Sequence, residues 1–162
     1  FIPGAMLISP LFLIFKSLNL LNTRVALILI NTAFQLPFNA ILMKEFIAGI
    51  DYSLEEAAMI DGCSRLGAIR HAVIPILIPG IIATGAFGFI SCWNEFLYTF
   101  MFISKQELFT LPVGLKYMMG EYAINYGALA AGSIIALIPA LVLFVYVQRY
   151  LVGSLSSGAV KG

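Results

Sequence analysis

Three long apolar runs alternate with short polar stretches along this chain. Residues 25–43 and 127–148 contain no charged side chain, and residues 72–103 contain a single acid. A helix needs about 20 apolar residues to cross the hydrocarbon of a bilayer, so each run predicts one membrane-spanning helix. The opening residues 1–15 are also uncharged, but they are too few for a complete span. We expect a fourth span that is cut, in a chain that is a fragment, rather than a signal peptide.

Every apolar run contains proline. The positions are Pro10, Pro37, Pro75 with Pro79, and Pro139. Membrane helices tolerate proline when neighbouring helices or side chains satisfy the carbonyl groups that it leaves unpaired. The pattern therefore predicts an all-α, polytopic transmembrane helix bundle with kinked helices and about four spans.

The composition supports a membrane location. Hydrophobic residues make up 61% of the chain, charged residues make up 10%, and the mean hydropathy is +1.00. Soluble domains have roughly 45–50% apolar and 25% charged residues. The net charge of +1 gives no reason to expect nucleic acid as a partner. Of the Lys and Arg residues, five lie on the side that holds residues 44–71 and the C-terminal tail and four on the other side, which weakly favours a cytoplasmic location for the first side.

One polar stretch, residues 53–71, differs from the other connections because it carries five ionic residues. Ser53 and Glu56 have the spacing of a capping box, in which each side chain accepts from the backbone amide of the other residue. Gly62 can adopt the left-handed conformation that ends many helices. This pattern predicts a short helix that begins at Ser53 and ends at Gly62.

A second short helix is predicted directly after the first. Ser64 is a favourable N-terminal cap, and the helix is expected to end near His71. Pro75 would then open the next membrane span. Together, residues 53–71 are predicted to be two short helices with a glycine bend, outside the hydrocarbon because ionic side chains are costly inside it.

Two roles are open for this helix pair at this stage. It can lie on the bilayer surface with its apolar side chains dipped into the lipid, or it can dock on another protein. The first helix has an acidic face of small residues, formed by Glu55, Glu56, Ala57, Ala58 and Asp61. Anionic lipid would repel such a face, so the pattern favours docking into a groove of a protein.

Four ordered sequence blocks carry a family resemblance. EAAMIDG followed by VIPILIPG resembles the EAA loop of the membrane subunits of ATP-binding-cassette importers. LPFNAILMKEF, SCWNEFLYTF and QRYLVGSLSSGAVKG are similar to the carbohydrate-uptake branch of that family, whose best-known member serves maltose import. The resemblance covers almost the whole chain.

The resemblance implies a transporter domain of about six spans, of which residues 1–162 would supply four as the C-terminal portion. It implies that residues 53–71 are a cytoplasmic coupling loop seated in a cleft of an ATP-binding-cassette ATPase subunit. The other implied partners are a second permease subunit, an extracytoplasmic solute-binding protein, a sugar substrate and membrane lipid. The implied location is the inner membrane of a bacterial or archaeal cell, with the EAA loop and the C-terminus in the cytoplasm.

The resemblance also assigns roles within the coupling loop. Glu56 would pair with a basic residue of the ATPase, although capping of its own helix is an alternative role. Ala57 and Ala58 would allow close approach, and Gly62 would permit the bend. The full set of implied coupling residues is Glu55, Glu56, Ala57, Ala58, Asp61, Gly62 and Arg65. The family commonly has a large apolar residue where this chain has Ala68 and Ile69, which leaves the seating of the second helix open.

Glu95 is the single acid within the predicted spans. A helix that begins near Ile76 would place Glu95 close to the far interface, beside Trp93 of an aromatic belt. One interpretation is simple exposure at that interface. The other is that Asn94 and Glu95 line the outer mouth of a transport pathway.

Three amide side chains recur at four-residue spacing on one face of the span that contains residues 25–43. They are Asn31, Gln35 and Asn39. They can bind neighbouring helices or offer hydrogen bonds to a sugar, and Asn31 and Gln35 are kept as candidate pathway residues. The resemblance further implies that the loop of residues 104–126 touches the solute-binding protein and that residues 154–162 lie close to the ATPase pair.

These observations predict a permease subunit of an ATP-driven importer that moves a sugar or related solute into the cell. The sequence has no catalytic grouping of Ser, His, Asp or Cys, no metal cluster and no phosphate-binding loop. We therefore expect neither an enzyme nor a resident cofactor or metal. The alternatives are an ion-coupled secondary transporter, which often has two repeated halves and ionisable residues at mid-membrane, and a purely structural membrane anchor.

Overall fold

The structure, a computed structural model, describes residues 3–120 and 124–158. Over these residues it is helical, with one isolated backbone bridge between Met119 and Ile124. The helices are α1 (Ile8–Ser17), α2 (Arg24–Ala48), α3 (Ser53–Ile60), α4 (Arg65–Ala68), α5 (Ile74–Trp93), α6 (Leu97–Phe102), α7 (Leu111–Met118) and α8 (Tyr126–Gly158), with a π turn at Ile69–Val73 and 3₁₀ turns at Gly4–Leu7 and Gln106–Leu108. The prediction of an all-α fold is confirmed.

Among the described residues, three helical stretches are long and apolar enough to cross a membrane. They are Arg24–Ala48, Arg65–Trp93 and Tyr126–Gln148, and each overlaps one of the three predicted runs. The opening run forms the shorter apolar helix Gly4–Ser17. The backbone of α8 continues to Gly158, so most of the predicted polar tail is helical. Residues 159–162, the last part of the tail implied to approach the ATPase, lie outside the described residues.

The predicted start of the middle span is wrong. A separate helix ending near His71 was expected, but the helical backbone runs without a break from Arg65 to Trp93. In the π turn, the amide of Ile74 donates to the carbonyl of Ile69, five residues earlier. The wider turn accommodates Pro75, which has no N–H to donate, without ending the helix.

The predicted end of the same span is also wrong. The apolar run continues to residue 103, but α5 ends at Trp93 and a separate short helix, α6, begins at Leu97. Hydropathy does not detect this break because α6 is itself apolar. The cause is a polar contact of Glu95, described below.

One compact unit of the fold consists of Phe1–Gln35 and Phe89–Leu141. Its buried core contains Phe15, Ala26, Ile30, Tyr98 and Phe102. The ring of Phe102 lies between those of Phe12 and Phe15, with centroid distances of 5.8 and 5.7 Å. Aromatic packing thus holds α6 against α1.

Asn22 fastens the turn between α1 and α2 to the chain that follows α6. Its side-chain oxygen accepts hydrogen bonds from the Ser104 amide at 2.6 Å, the Ser104 hydroxyl at 2.9 Å and the Lys105 amide at 3.2 Å. The φ angle of Asn22 is +58°, a left-handed conformation that Asn tolerates better than most residues. The loop after α6 is therefore fixed by polar as well as aromatic contacts.

The other compact unit consists of Leu36–Gly88 and Val142–Gly162. Within it, α2 and α5 run antiparallel, because Phe46 lies against Gly80 and Asn39 lies against Gly88. The rings of Phe38 and Phe87 also meet, with centroids 4.5 Å apart. Glycine at the contact positions allows membrane helices to approach closely.

Much of the apolar surface of the spans is exposed in the structure. On α8, for example, the side chains of Ile134, Leu137 and Val145 are all more than half exposed. Large apolar surfaces of this kind are unfavourable in water but match the hydrocarbon of a bilayer.

Candidate functional site

The candidate site is the charged segment between α2 and α5, and its first helix does not begin with the predicted capping box. Ser53 is the first residue of α3, and its amide donates to the carboxylate of Asp51 at 2.9 Å. The carbonyl of Tyr52 accepts from the amides of Glu55 and Glu56. The Asp51 carboxylate thus accepts from the Ser53 amide in place of the Glu56 carboxylate, and a negative charge is favoured at this positive end of the helix.

The same contact changes the acidity of Asp51. Hydrogen bonds from the amide and then the hydroxyl of Ser53 lower the pKa of the Asp51 carboxyl below its ordinary value. Glu56 plays no capping role here, since no side chain or amide of the described residues binds its carboxylate. Its side chain is exposed.

The end of α3 follows the prediction. Gly62 has a φ angle of +90°, which is the left-handed region that favours glycine. Its amide donates to the carbonyl of Met59 at 3.1 Å, and the amide of Cys63 donates to the carbonyl of Ala58 at 3.0 Å. These two bonds are those of a Schellman motif, which satisfies the last carbonyls of a helix.

Ser64 caps α4, as predicted. Its hydroxyl accepts from the amide of Gly67 at 3.2 Å, and its own backbone is extended. Ala68, at the position where the family commonly has a larger apolar residue, is fully buried. A small residue there lets α4 and the following π turn pack against α3.

An ion pair joins the two short helices. The Nε of Arg65 donates to Oε1 of Glu55 at 3.1 Å. The Glu55 side chain is 14% exposed and the Arg65 side chain 73% exposed. Two of the predicted coupling residues are therefore partners of each other.

The two faces of α3 differ in exposure. Glu55, Ala58 and Met59 are half-buried, whereas the opposite face is exposed. We call this opposite face the docking face; it consists of Glu56, Ala57 and Ile60. Ile60 is 85% exposed. Asp61, at the C-terminal end of α3, is also exposed.

Glu95 has a local partner that sequence reasoning missed. Its carboxylate accepts from the amide of Tyr98 at 2.7 Å, the amide of Thr99 at 3.0 Å and the hydroxyl of Thr99 at 2.8 Å. These amides are at the N-terminus of α6, so Glu95 caps that helix. An acid two to four residues before an apolar segment is the signal that could have indicated the cap. The exposed Asn94 donates to the carbonyl of Ile90 in α5 at 3.0 Å.

The three side-chain amides of α2, those of Asn31, Gln35 and Asn39, differ in their surroundings and hydrogen bonds. Asn31 donates to the carbonyl of Leu27 in its own helix at 2.9 Å, and Gln35 is half-buried. The side-chain oxygen of Asn39, by contrast, is buried without a hydrogen-bond partner among the described residues. Asn31 and Asn94 thus each donate to a carbonyl of their own helical segment.

Within the described residues there is no group of three or more His, Cys, Asp or Glu side chains that could hold a metal ion. Cys63 and Cys92 are both free. His71 Nδ1 lies 2.9 Å from the carbonyl of Gly67, a contact inside its own helical segment.

Comparison with known proteins identifies the family. Residues 1–157 match the family described as the binding-protein-dependent transport system inner membrane component. The chain is 39% identical over 160 residues to the sulfoquinovosyl glycerol transport system permease protein SmoH of Agrobacterium fabrum, covering 99% of this chain and 56% of the relative. It is 38% identical over 160 residues to the diacetylchitobiose uptake system permease protein DasC of Streptomyces coelicolor, covering 99% and 58%.

A third relative is archaeal. The trehalose/maltose transport system permease protein MalG of Thermococcus litoralis is 32% identical over 161 residues, covering 99% of this chain and 58% of the relative. The chain thus spans somewhat more than half the length of these relatives. Since almost the whole chain matches, it belongs to the family of inner membrane components of binding-protein-dependent transport systems.

Proposed function

We propose that the chain is part of the permease subunit of an ATP-driven importer that moves a sugar or a related solute into the cell. Its family membership supports this function, and three relatives are named as permeases of sugar or oligosaccharide transport systems. The permease catalyses no reaction, because ATP hydrolysis belongs to a partner. The other partners are a second permease subunit and an extracytoplasmic solute-binding protein.

The observation that carries the proposal is the docking face of α3. Glu56, Ala57 and Ile60 combine a carboxylate that has no partner among the described residues, a small residue and an exposed apolar side chain. Such a surface fits a groove that has a cation at its rim and an apolar floor. We assign that groove to the cytoplasmic ATPase subunit.

The connection from this face to the membrane supports a coupling role. Residue 65 begins a helical backbone that continues to Trp93 through a candidate span. A displacement of the docking face would therefore move a rigid helix rather than a loose loop. Closure of two ATPase subunits would act on the transport pathway through this helix.

The remaining coupling residues support the docking face in different ways. Gly62 sets the bend, Ala58 lies on the packed side of α3, and Asp61 adds negative charge beside the bend. Glu55 and Arg65 bind each other. In this proposal the segment and the C-terminal end of α8 lie in the cytoplasm.

The candidate pathway residues are proposed to have two kinds of role. Asn94 is exposed at the end of α5 that is remote in sequence from the docking face, where an outer mouth would be, and Glu95 caps α6 beside it. Gln35 is half-buried on α2, and Asn31 already donates within that helix. We propose Asn94 and Gln35 as the more direct contacts with solute and Glu95 as a support of the outer loop.

An ion-coupled secondary transporter is disfavoured. The matching family is named for transport that depends on a binding protein, and Glu95, the acid within the predicted spans, is occupied by α6 amides. A purely structural anchor would need no exposed carboxylate and isoleucine on a fixed short helix.

The test is co-purification of the complete protein, carrying an affinity tag, from its own cells. An ATPase subunit is expected to be retained by the wild type and lost with Glu56→Lys. Glu107→Lys is the matched control, because Glu107 is an exposed acid in the loop between α6 and α7. Equal retention of the ATPase by both variants would contradict the docking role of Glu56.

A second measurement tests the orientation. A single cysteine at position 66, where the side chain is exposed and lies outside the docking face, is introduced into a protein whose Cys63 and Cys92 are replaced by alanine. It should be labelled by a membrane-impermeant maleimide only in inside-out vesicles. Labelling in intact spheroplasts would place the segment outside and contradict the proposed coupling.

A further inference from the structure

The ion pair between Glu55 and Arg65 links the helices on either side of the Gly62 turn. We infer that these two side chains are positioning residues, which set the angle between α3 and α4 and leave contact with the ATPase to the docking face. The inference rests on the function proposed above. It separates two of the implied coupling residues from those that touch the partner.

The geometry of the pair turns Glu55 away from a partner protein. Its Oε1 accepts from Nε of Arg65, ten residues later, at 3.1 Å. With 14% of the Glu55 side chain exposed, little of this carboxylate is left for a second protein. Glu56, the next residue, is exposed on the docking face. The two adjacent acids therefore face different surroundings.

The packing around the buried Ala68 brings α4 against α3, and the ion pair adds a polar contact between the two helices. No neighbouring heavy atom lies within 4 Å of the position that a Gly62 Cβ would occupy. The backbone bonds of the turn run back into α3, and the Ser64 hydroxyl binds inside α4. Among the side-chain hydrogen bonds of the described residues, the bond from Arg65 to Glu55 is the one that joins α3 to α4.

The pair also keeps a cation away from the docking face. Arg65 is largely exposed and lies only nine positions from Glu56 in sequence. While it is bound to Glu55, it does not neutralise Glu56, whose charge remains available to a basic side chain of the ATPase. Exposed ion pairs contribute little to global stability, so the consequence falls on orientation and electrostatics rather than on folding.

The experiment is a charge exchange in the complete transporter. Glu55→Arg, Arg65→Glu and the double variant are compared by hydrogen exchange of the amides of Ser53–Ile60 and by ATP hydrolysis coupled to solute uptake. Each single change is expected to raise the exchange rate roughly two- to fivefold and to reduce coupled hydrolysis. The double variant should restore both measurements towards wild type.

Two further variants keep the result interpretable. If a charge reversal prevents folding, Glu55→Gln is used instead. It removes the charge with little change of shape and should still raise the exchange rate of the α3 amides. Glu56→Gln is the matched control, because it removes the other acid of the first turn of α3; it should lower retention of the ATPase but raise exchange in α3 of the unbound permease less than Glu55→Gln does.

The inference is overturned if the double variant exchanges as fast as the single variants, or if the single variants and Glu55→Gln all exchange like wild type. A wild-type transporter that retains no ATPase would refute the proposed function instead. In that case the exchange measurements would still decide whether the pair fixes the two helices.

Discussion

Phe46 lies directly over Gly80 where α2 and α5 meet. A methyl group added at Gly80 would be 2.5 Å from Cγ of Phe46 and 2.9 Å from its Cβ. The Cβ of Phe46 cannot move away without its backbone, so a change of rotamer does not relieve this contact. The absence of a side chain at Gly80 therefore determines how closely these two helices pack.

Gly80→Ala is expected to destabilise the protein by about 1–3 kcal/mol, the usual effect of overpacking a close contact. Gly85→Ala is the matched control, because a methyl group at Gly85, in the same helix, meets no atom within 4 Å. The measurement is the thermal midpoint of unfolding of the two complete variants in detergent. The proposed packing would be wrong if the two midpoints were equal.

Gly62→Ala should weaken the turn of the coupling segment by about 1–2 kcal/mol, because its φ of +90° is unfavourable for a residue with a Cβ. Space is not the reason, since no atom lies near that Cβ position. Gly62→Asn should have a smaller effect, because Asn tolerates the left-handed region. Hydrogen exchange of the amides of Ser53–Ile60 provides the measurement, and equal protection in all three proteins would contradict the backbone argument.

Glu95→Ala removes the cap of α6 and should lower the free energy of unfolding by about 1–3 kcal/mol. Glu107→Ala, which changes an exposed acid in the following loop, should have little effect. Chemical denaturation of the complete variants measures the difference. If Glu95→Ala instead abolished solute uptake at unchanged stability, Glu95 would act in the pathway and not as a cap.

Asp51 should make the start of α3 sensitive to acid. Its folded-state pKa lies below the ordinary value of 3.8, so the stabilisation is present above that value and is lost as the pH falls through the folded-state pKa. Asp51→Asn should remove this dependence. Titration of the Asp51 carboxyl by NMR in selectively labelled protein is the direct check, and a pKa at or above 3.8 would refute the contact with Ser53.

The sequence was most informative where a single residue type has one strong preference. Hydropathy located the three long spans, Gly62 marked the end of α3, and Ser64 marked the cap of α4. Each of these signals is local, because a long apolar run, a left-handed turn and a serine cap depend on few distant contacts.

The errors arose where two local signals competed. Ser53 and Glu56 have the spacing of a capping box, but the Asp51 carboxylate, two residues before Ser53, already binds the Ser53 amide that Glu56 was expected to bind. Pro75 suggested a boundary, yet the preceding π turn accommodates it. The ion pair of Glu55 with Arg65 connects residues across a turn, and spacing alone does not reveal such a contact.

The π turn at Ile69–Val73 has a mechanical consequence for the segment on which the proposed function depends. A π turn contains one residue more than a regular helical turn. The side chains that precede it are therefore rotated about the helix axis, relative to those that follow it, by about 100°. Removing one residue there would leave the charged end and the bilayer end each well folded but turned out of phase. The extra residue thus sets the rotation of the coupling segment, which would receive the displacement, relative to the membrane span, which would transmit it.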